Sequence, residues 1–376
     1  MIWRPRADQL ATAVTHPHSR WRPAVAAVPR HVFIPQWWTR EEHGWSLHDG
    51  PADPDHWLDA AYADRSLITA VAGHHADGAD PDHHPTGRPT SSATLPSLLI
   101  QVYRHARIGP HDSVLDVGTG SGYGTALLAQ RLGDARVTSI DVDKYLVEAA
   151  RERLSSLGRY PLIEVADATD AIPGVHDRII ATVGMPHIPA SWLRALRPGG
   201  RLVTTLADTS LIITATKQGD GSAVGKVEWD RAGFMAARSG RDYPADATDQ
   251  LAAAWTTHGD VKISPYPVVD VEQAWDLSSM VALTIPGVEH GYRVEHGRRI
   301  AVMAHPDGSW ARASSTGPQP ASVHQGGPRR LWDQLDAIRA QWLTTGELPV
   351  RGARVRIEPT GRTVLTRSGW HTVVKP

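Results

Sequence analysis

The stretch LDVGTGSGYG, residues 115–124, limits what this chain can become more than any other. A short apolar run ends in closely spaced glycines, and a helical pattern, YGTALLAQRL (123–132), begins at once. Glycine permits a tight strand-to-helix turn and lets the backbone approach a ligand closely. The alternation then continues. Strands are expected at 113–118, 136–141, 162–167 and 177–183, and helices at 123–132, 144–157 and 190–196. Strands alternating with helices imply a parallel sheet covered on both faces. Two further strands, 201–206 and 211–218, are close enough in sequence to form an antiparallel edge. The expected class is α/β, with a Rossmann-like central domain.

That regular pattern occupies 95–240. Before it, 1–94 is a Trp- and Pro-rich segment ending in the hydroxyl-rich GRPTSSATLP (87–96). After it, GRDYPADATDQ reads as a linker. Residues 241–376 read as a smaller α+β domain, with an amphipathic helix over 328–343 and a hairpin over 354–367. The chain has 14 Trp against 2 Phe, and Trp3, Trp21, Trp37, Trp38, Trp45 and Trp57 all precede the regular part. Such residues suit a core or a peptide-binding wall. HHADGADPDHH (74–84) has no periodicity and is expected to be a mobile, solvated loop. Its His74, His75, His83 and His84 lack the i, i+4 spacing of a helical zinc site, so no metal is assigned.

Composition excludes several classes. With 0 Cys there are no disulfides, thiolate metal sites or cysteine nucleophiles. A net charge of −1 gives no global basic field for nucleic acid. No run approaches the roughly 18 apolar residues of a membrane span. Without a secretory pattern at the N-terminus, a cytoplasmic location is expected.

Three acids sharpen the ligand reading. Asp116 and Asp141 end the first two strands, and Asp167 ends the third. This suits a nucleoside without phosphates, S-adenosylmethionine (SAM), with S-adenosylhomocysteine as its product. Asp116 would face its amino-acid end, Asp141 both ribose hydroxyls, and Asp167 the adenine amine. The loop residues Gly118, Thr119, Gly120, Ser121, Gly122 and Tyr123 would complete the site, with Val142 and Ala168 beside the acids. A dinucleotide site, or acids that merely cap helices, would leave the same trace.

With these residues in view, the chain resembles the protein-L-isoaspartate O-methyltransferase family over roughly 20–240. VPRHVFIP (28–35), AYADRSLIT (61–69), LDVGTGSGYGTALLA (115–129) and IIATVGMPHIPASWLRALRPGGRLV (179–203) carry the resemblance. That family has a Thr-Ile-Ser-x-Pro motif before the helix leading into the cofactor strand. Aligned on Pro96, Thr94 stands where the family's catalytic serine would be, with Ser92 and Ser91 just before it. One hydroxyl of this stretch is expected to cap the helix, leaving the others for catalysis. The resemblance implies methyl transfer to a carboxylate in a peptide or protein substrate carrying Asp or isoaspartate.

The chain departs from the repair enzymes in the insertion between Thr69 and Thr90, in Thr94 for serine, in Ala166-Asp167-Ala168 for Gly-Asp-Gly, and in its C-terminal extension. These features resemble family members that tailor ribosomal peptides: lanthipeptides, lasso peptides and graspetides. They suggest methylation of an aspartate in a macrocyclic peptide, leading to an aspartimide or isoaspartate. Repair of isoaspartyl proteins is the alternative. A SAM-fold binding subunit without catalysis is the third reading.

Overall fold

In the computed structural model, residues 2–42, 44–239, 243 and 247–374 are described. The N-terminal segment contains α1 (Arg4–Val14), α2 (Arg22–Ala27), β1 (Gln36–Glu41), β2 (Gly44–Asp49), α3 (Pro54–Ala61), β3 (Leu67–Val71), β4 (His74–His75) and β5 (Pro89–Ala93). The strands form one sheet in the order β2-β1-β3-β4, with β5 also paired to β3. Trp21, Trp37, Trp38 and Trp45 are buried, so these aromatics build the core and no exposed wall. Trp57 donates its indole N–H to the carbonyl of Ile34 at 2.6 Å.

The regular part follows as α4 (Pro96–Ala106), β6 (Val114–Val117), α5 (Tyr123–Leu132), β7 (Val137–Asp141), α6 (Lys144–Ser156), β8 (Leu162–Val165), β9 (His176–Met185), α7 (Ala190–Ala195), β10 (Leu196–Leu206), β11 (Leu211–Lys217) and β12 (Ala223–Arg231). Strands β8-β7-β6-β9-β10 run parallel. The chain order reverses between β6 and β9, and ligands of open α/β sheets bind at the carboxyl ends beside such a reversal. The pair β10–β11 is antiparallel as expected, but it is not an edge.

The C-terminal region contains α8 (Thr248–Ala254), β13 (Asp260–Ser264), α9 (Trp275–Thr284), β14 (Glu289–Glu295), β15 (Arg298–Ala304), β16 (Trp310–Thr316), β17 (Ala321–Gly326), α10 (Leu331–Thr345), β18 (Arg354–Ile357), β19 (Thr363–Arg367) and β20 (Trp370–Val374). The smaller C-terminal α+β region expected beyond 241 is present, and part of it joins the central sheet. Strands β13–β17 form their own antiparallel sheet. Strands β18, β19 and β20 instead extend the central sheet through β12, making it ten strands wide. Buried residues of α9 and α10, such as Met280 and Leu335, share one core with Leu211 and Ile213 of the central sheet. Arg351 fastens the two parts by donating to the Asp276 carboxylate and to the carbonyls of Ser210 and Asp230.

The His-rich insertion is a surface loop over most of its length, with Asp80, Pro81, Asp82, His83 and His84 exposed, but its start is tied down. Val71 and Ala70 pair with His74 and His75. Ala76 is buried and donates its N–H to the Thr69 carbonyl at 2.8 Å. Among the described residues, no group of three or more His, Asp or Glu is arranged to hold a metal ion. No described helix is long and apolar enough to cross a membrane.

Candidate active site

The glycine loop sits at the strand reversal. The amides of Gly118 and Thr119 both donate to the carbonyl of Ile140, tying the loop to β7. Gly118 has φ +96°, and a Cβ there would fall 2.9 Å from Val183 Cγ1. Both the conformation and the space therefore require glycine. Gly122, at φ +91°, opens α5, but it packs against Ala150 and Phe33 and does not line the cleft. The other residues expected at the site do line one cleft, of about 240 Å³ and open to solvent: Ser91, Ser92, Thr94, Asp116, Gly118, Thr119, Gly120, Ser121, Tyr123, Asp141, Val142, Asp167 and Ala168.

The acids are held in three different ways. Asp116 is only 2% exposed, and its Oδ2 accepts from the hydroxyls of Thr125 (2.7 Å) and Ser139 (3.0 Å). Asp141 accepts from the amide of Gly120 at 2.9 Å through Oδ2 and from that of Asp143 at 3.1 Å through Oδ1. Asp167 accepts from the amide (2.8 Å) and the hydroxyl (2.6 Å) of Thr169.

The hydroxyl-rich stretch also lines the cleft, and its local structure differs from expectation. Residues 89–93 form a strand, with Ser92 opposite Ile68 and Ser91 opposite Ala70. None of its hydroxyls caps α4, whose cap residue, Leu95, has no side-chain acceptor to offer. The free amides at the helix start are met from another loop: Leu95 N–H donates to Ser66 Oγ at 3.0 Å and Ser97 N–H to Asp64 Oδ1 at 2.9 Å. Thr90 accepts from the Gly73 amide, and Ser91 accepts from the Thr69 hydroxyl. Among the described residues, the hydroxyls of Ser92 and Thr94 have no hydrogen-bond partner within the chain. They line the same cleft as the three acids.

Residues 86–237 match the family described as protein-L-isoaspartate(D-aspartate) O-methyltransferase. They form a SAM-dependent carboxyl methyltransferase domain. Similar proteins include the protein-L-isoaspartate O-methyltransferase of Methanopyrus kandleri, 28% identical over 52% of this chain and 75% of that protein. Protein-L-isoaspartate O-methyltransferase 2 of Archaeoglobus fulgidus is 27% identical over 57% of this chain and 83% of its own length. A solved structure named protein-L-isoaspartate O-methyltransferase covers 98% of both chains at a TM-score of 0.51 and 16% identity, so the fold is shared over almost the whole chain.

The electrostatics of the methyltransferase domain separate its acids. Burial pushes Asp116 up to about 6, against the lowering effect of the Thr125 and Ser139 hydroxyls. Burial also raises Asp141, opposed by the Gly120 and Asp143 amides and by the nearby Arg238. Desolvation acts on Asp167 too, but donors from Thr169 and Ser239 outweigh it and hold that carboxyl below its usual range.

Sequence reading missed two parts of this domain. Beyond β12 the chain returns to the cleft, where Gly233, Phe234, Met235, Ala236, Ala237 and Arg238 line it. Gly184 donates to the carbonyl of Met235 at 2.7 Å, and Ala237 donates to the carbonyl of Gly184 at 2.8 Å. The signal available was the apolar GFMAA just before the polar linker. The second omission is Arg30 of VPRHVFIP. It is fully buried and donates to the carbonyls of Ala61, Ala63, Arg65, Ala93 and Thr94. It thereby holds the AYADR segment against the end of the hydroxyl strand.

Proposed function

We propose that this chain transfers the methyl group of SAM to the free α-carboxylate of an isoaspartyl residue in a protein or peptide. One observation carries the reading. A single cleft is lined both by the three strand-end acids and by Ser92 and Thr94, whose hydroxyls have no partner among the described residues. The donor set fits SAM. Asp141 offers a carboxylate for paired ribose hydroxyls, and Asp167, held ionised, offers an acceptor for an exocyclic amine.

When bound, SAM supplies an electrophilic methyl group. The substrate carboxylate is already anionic near pH 7, so no residue need remove a proton from it. What remains for the chain is position and exclusion of water. In this reading the Thr94 hydroxyl donates to the substrate carboxylate or the adjoining peptide, on a backbone held by Arg30. Asp116 acts on the glycine loop through the Thr125 and Ser139 hydroxyls. The resulting ester is the better electrophile. The next backbone nitrogen of the substrate attacks it, expels methanol and closes a succinimide.

The names of the similar proteins support isoaspartyl substrates over the tailoring of ribosomal peptides that the sequence departures first suggest. The extension is a weaker mark of tailoring than it looked, since a solved structure of the isoaspartate name shares the fold across it. One observation still favours a shaped substrate. The C-terminal unit reaches the hydroxyl strand, where Glu289 of β14 pairs with Arg88 at 2.8 Å. Three peptides separate the readings: a linear isoaspartyl peptide, its normal Asp counterpart, and a cyclised Asp peptide, each incubated with SAM and followed by mass spectrometry. Methylation of the isoaspartyl peptide alone is expected. Turnover of the cyclised Asp peptide alone would replace repair with tailoring.

A further inference from the structure

The His-rich insertion makes contacts that its composition does not announce. Its hairpin is anchored on the far side, where the Gly78 amide donates to Gln36 Oε1 at 2.7 Å and Trp38 donates to the carbonyl of His74 at 3.3 Å. From this base, His75 and Asp77 reach across to the start and the last turn of α6. His75 Nε2 lies 3.1 Å from Asp143 Oδ2. The Tyr145 hydroxyl donates to Asp77 at 3.0 Å, and Arg153 forms an ion pair with the same Asp77 oxygen. The His75 and Tyr145 rings lie 4.2 Å apart, centre to centre.

Both partners on α6 lead directly into the cofactor wall. Asp143 donates its amide to Asp141 Oδ1 at 3.1 Å and also caps α6 by accepting from the Tyr145 amide at 3.0 Å. Arg153 donates to the carbonyl of Ser121, inside the glycine loop, at 3.2 Å. Gly120 of that loop donates in turn to Asp141. The insertion thus touches the two halves of the cofactor wall through separate relays: His75–Asp143–Asp141 and Asp77–Arg153–Ser121. The side chains are sheltered, at 12% exposure for Arg153 and 19% for Asp77, so solvent screens this pair less than a surface one.

We propose that the insertion is a clamp on the cofactor wall, with Asp77 and His75 as positioning residues that hold the glycine loop and Asp141 in the geometry that binds SAM. The inference rests on the proposed SAM site. It differs from a metal or substrate role because both relays end on cofactor-lining residues. The relays act before ligand arrives, fixing groups that would otherwise have to be ordered on binding.

The test uses the full chain. Asp77→Asn, His75→Gln and Tyr145→Phe are measured by titration calorimetry with S-adenosylhomocysteine and by steady-state kinetics. Asp77→Asn is expected to raise the dissociation constant roughly three- to tenfold, with Tyr145→Phe giving a smaller change. The KM for SAM should rise with it, while kcat at saturating SAM and the KM for peptide stay within about twofold of the parent. A change in peptide KM without loss of cofactor affinity overturns the clamp. So does unchanged affinity in all three variants. Asp141→Ala is the control for the site itself and should weaken binding at least about tenfold. If that variant binds normally, the SAM site is misplaced, whatever the insertion variants do. Should Asp77→Asn lose its fold by circular dichroism, the milder Tyr145→Phe and His75→Gln carry the same comparison.

Discussion

Replacing Arg30 should separate folding from catalysis. Its guanidinium reaches five backbone carbonyls at 2.7–3.3 Å, two loops apart in sequence, and it is 0% exposed. A hydrogen bond to a charged group contributes about 1.5–3 kcal/mol, so five amount to at least about 7 kcal/mol. Burial opposes this. The guanidinium is pushed down to about 10 from 12.5, a cost of about 3 kcal/mol at neutral pH, since one pKa unit is about 1.4 kcal/mol. Arg30→Ala should therefore destabilise the chain by about 4–5 kcal/mol, within the range for breaking a buried charged network. Arg30→Lys keeps the charge but has three donors for five acceptors, and should lose about half as much. Urea unfolding at pH 7, followed by tryptophan fluorescence, measures both. Because Arg30 ends on Ala93 and Thr94, the Lys variant should lose kcat at least about tenfold while binding S-adenosylhomocysteine within about threefold of the parent. A cost below about 1 kcal/mol for Arg30→Ala, or weakened cofactor binding with intact kcat in Arg30→Lys, would refute this account.

Two further outcomes follow from the site. Thr94→Ser should keep most turnover, whereas Thr94→Ala should lose most of it with S-adenosylhomocysteine binding and circular dichroism unchanged. Unfolding by Thr94→Ala would assign the hydroxyl a structural role. Asp116 titrates near 6 in the fold and near 3.8 when unfolded, so the folded state binds its proton more readily. The stability this gives is complete below about 4 and is lost as pH rises through about 6, by at most about 3 kcal/mol. Asp116→Asn should flatten the urea midpoint between pH 4 and pH 7, and an unchanged slope would show that Asp116 is not the titrating group.

What the sequence reveals here depends on how far apart the partners lie. Strand β6, the glycine loop and α5 are consecutive, so turn chemistry and apolar runs announce them together. Helix α4 is different. Its start lies beside four hydroxyls, yet its amides are met by Asp64 and Ser66, about thirty residues earlier. Local capping rules therefore assigned a role to side chains that instead join a strand. The insertion misled for the same reason. A hairpin of His, Asp and Gly looks solvated until Arg153, 76 residues away, meets Asp77. The tryptophans were ambiguous because a core and a binding wall need the same large, flat side chains. The last hairpin was legible as a hairpin, but its neighbour β12 lies more than a hundred residues upstream.

That distant pairing governs how the protein can be made. The sheet that carries the cofactor loop is finished by β18–β20, more than a hundred residues beyond β12. During synthesis β12 emerges long before its partner β18. Until the final strands leave the ribosome, β12 presents an unpaired edge able to template pairing with other chains. Lys226, Glu228, Asp230 and Arg231 put charges along that strand and give its edge some protection against such contacts. The cofactor sheet is therefore complete only once β18–β20, more than a hundred residues beyond β12, have been made. A stop codon shortly before Arg354 would remove little of the chain and none of the cleft, yet leave every molecule with that edge open.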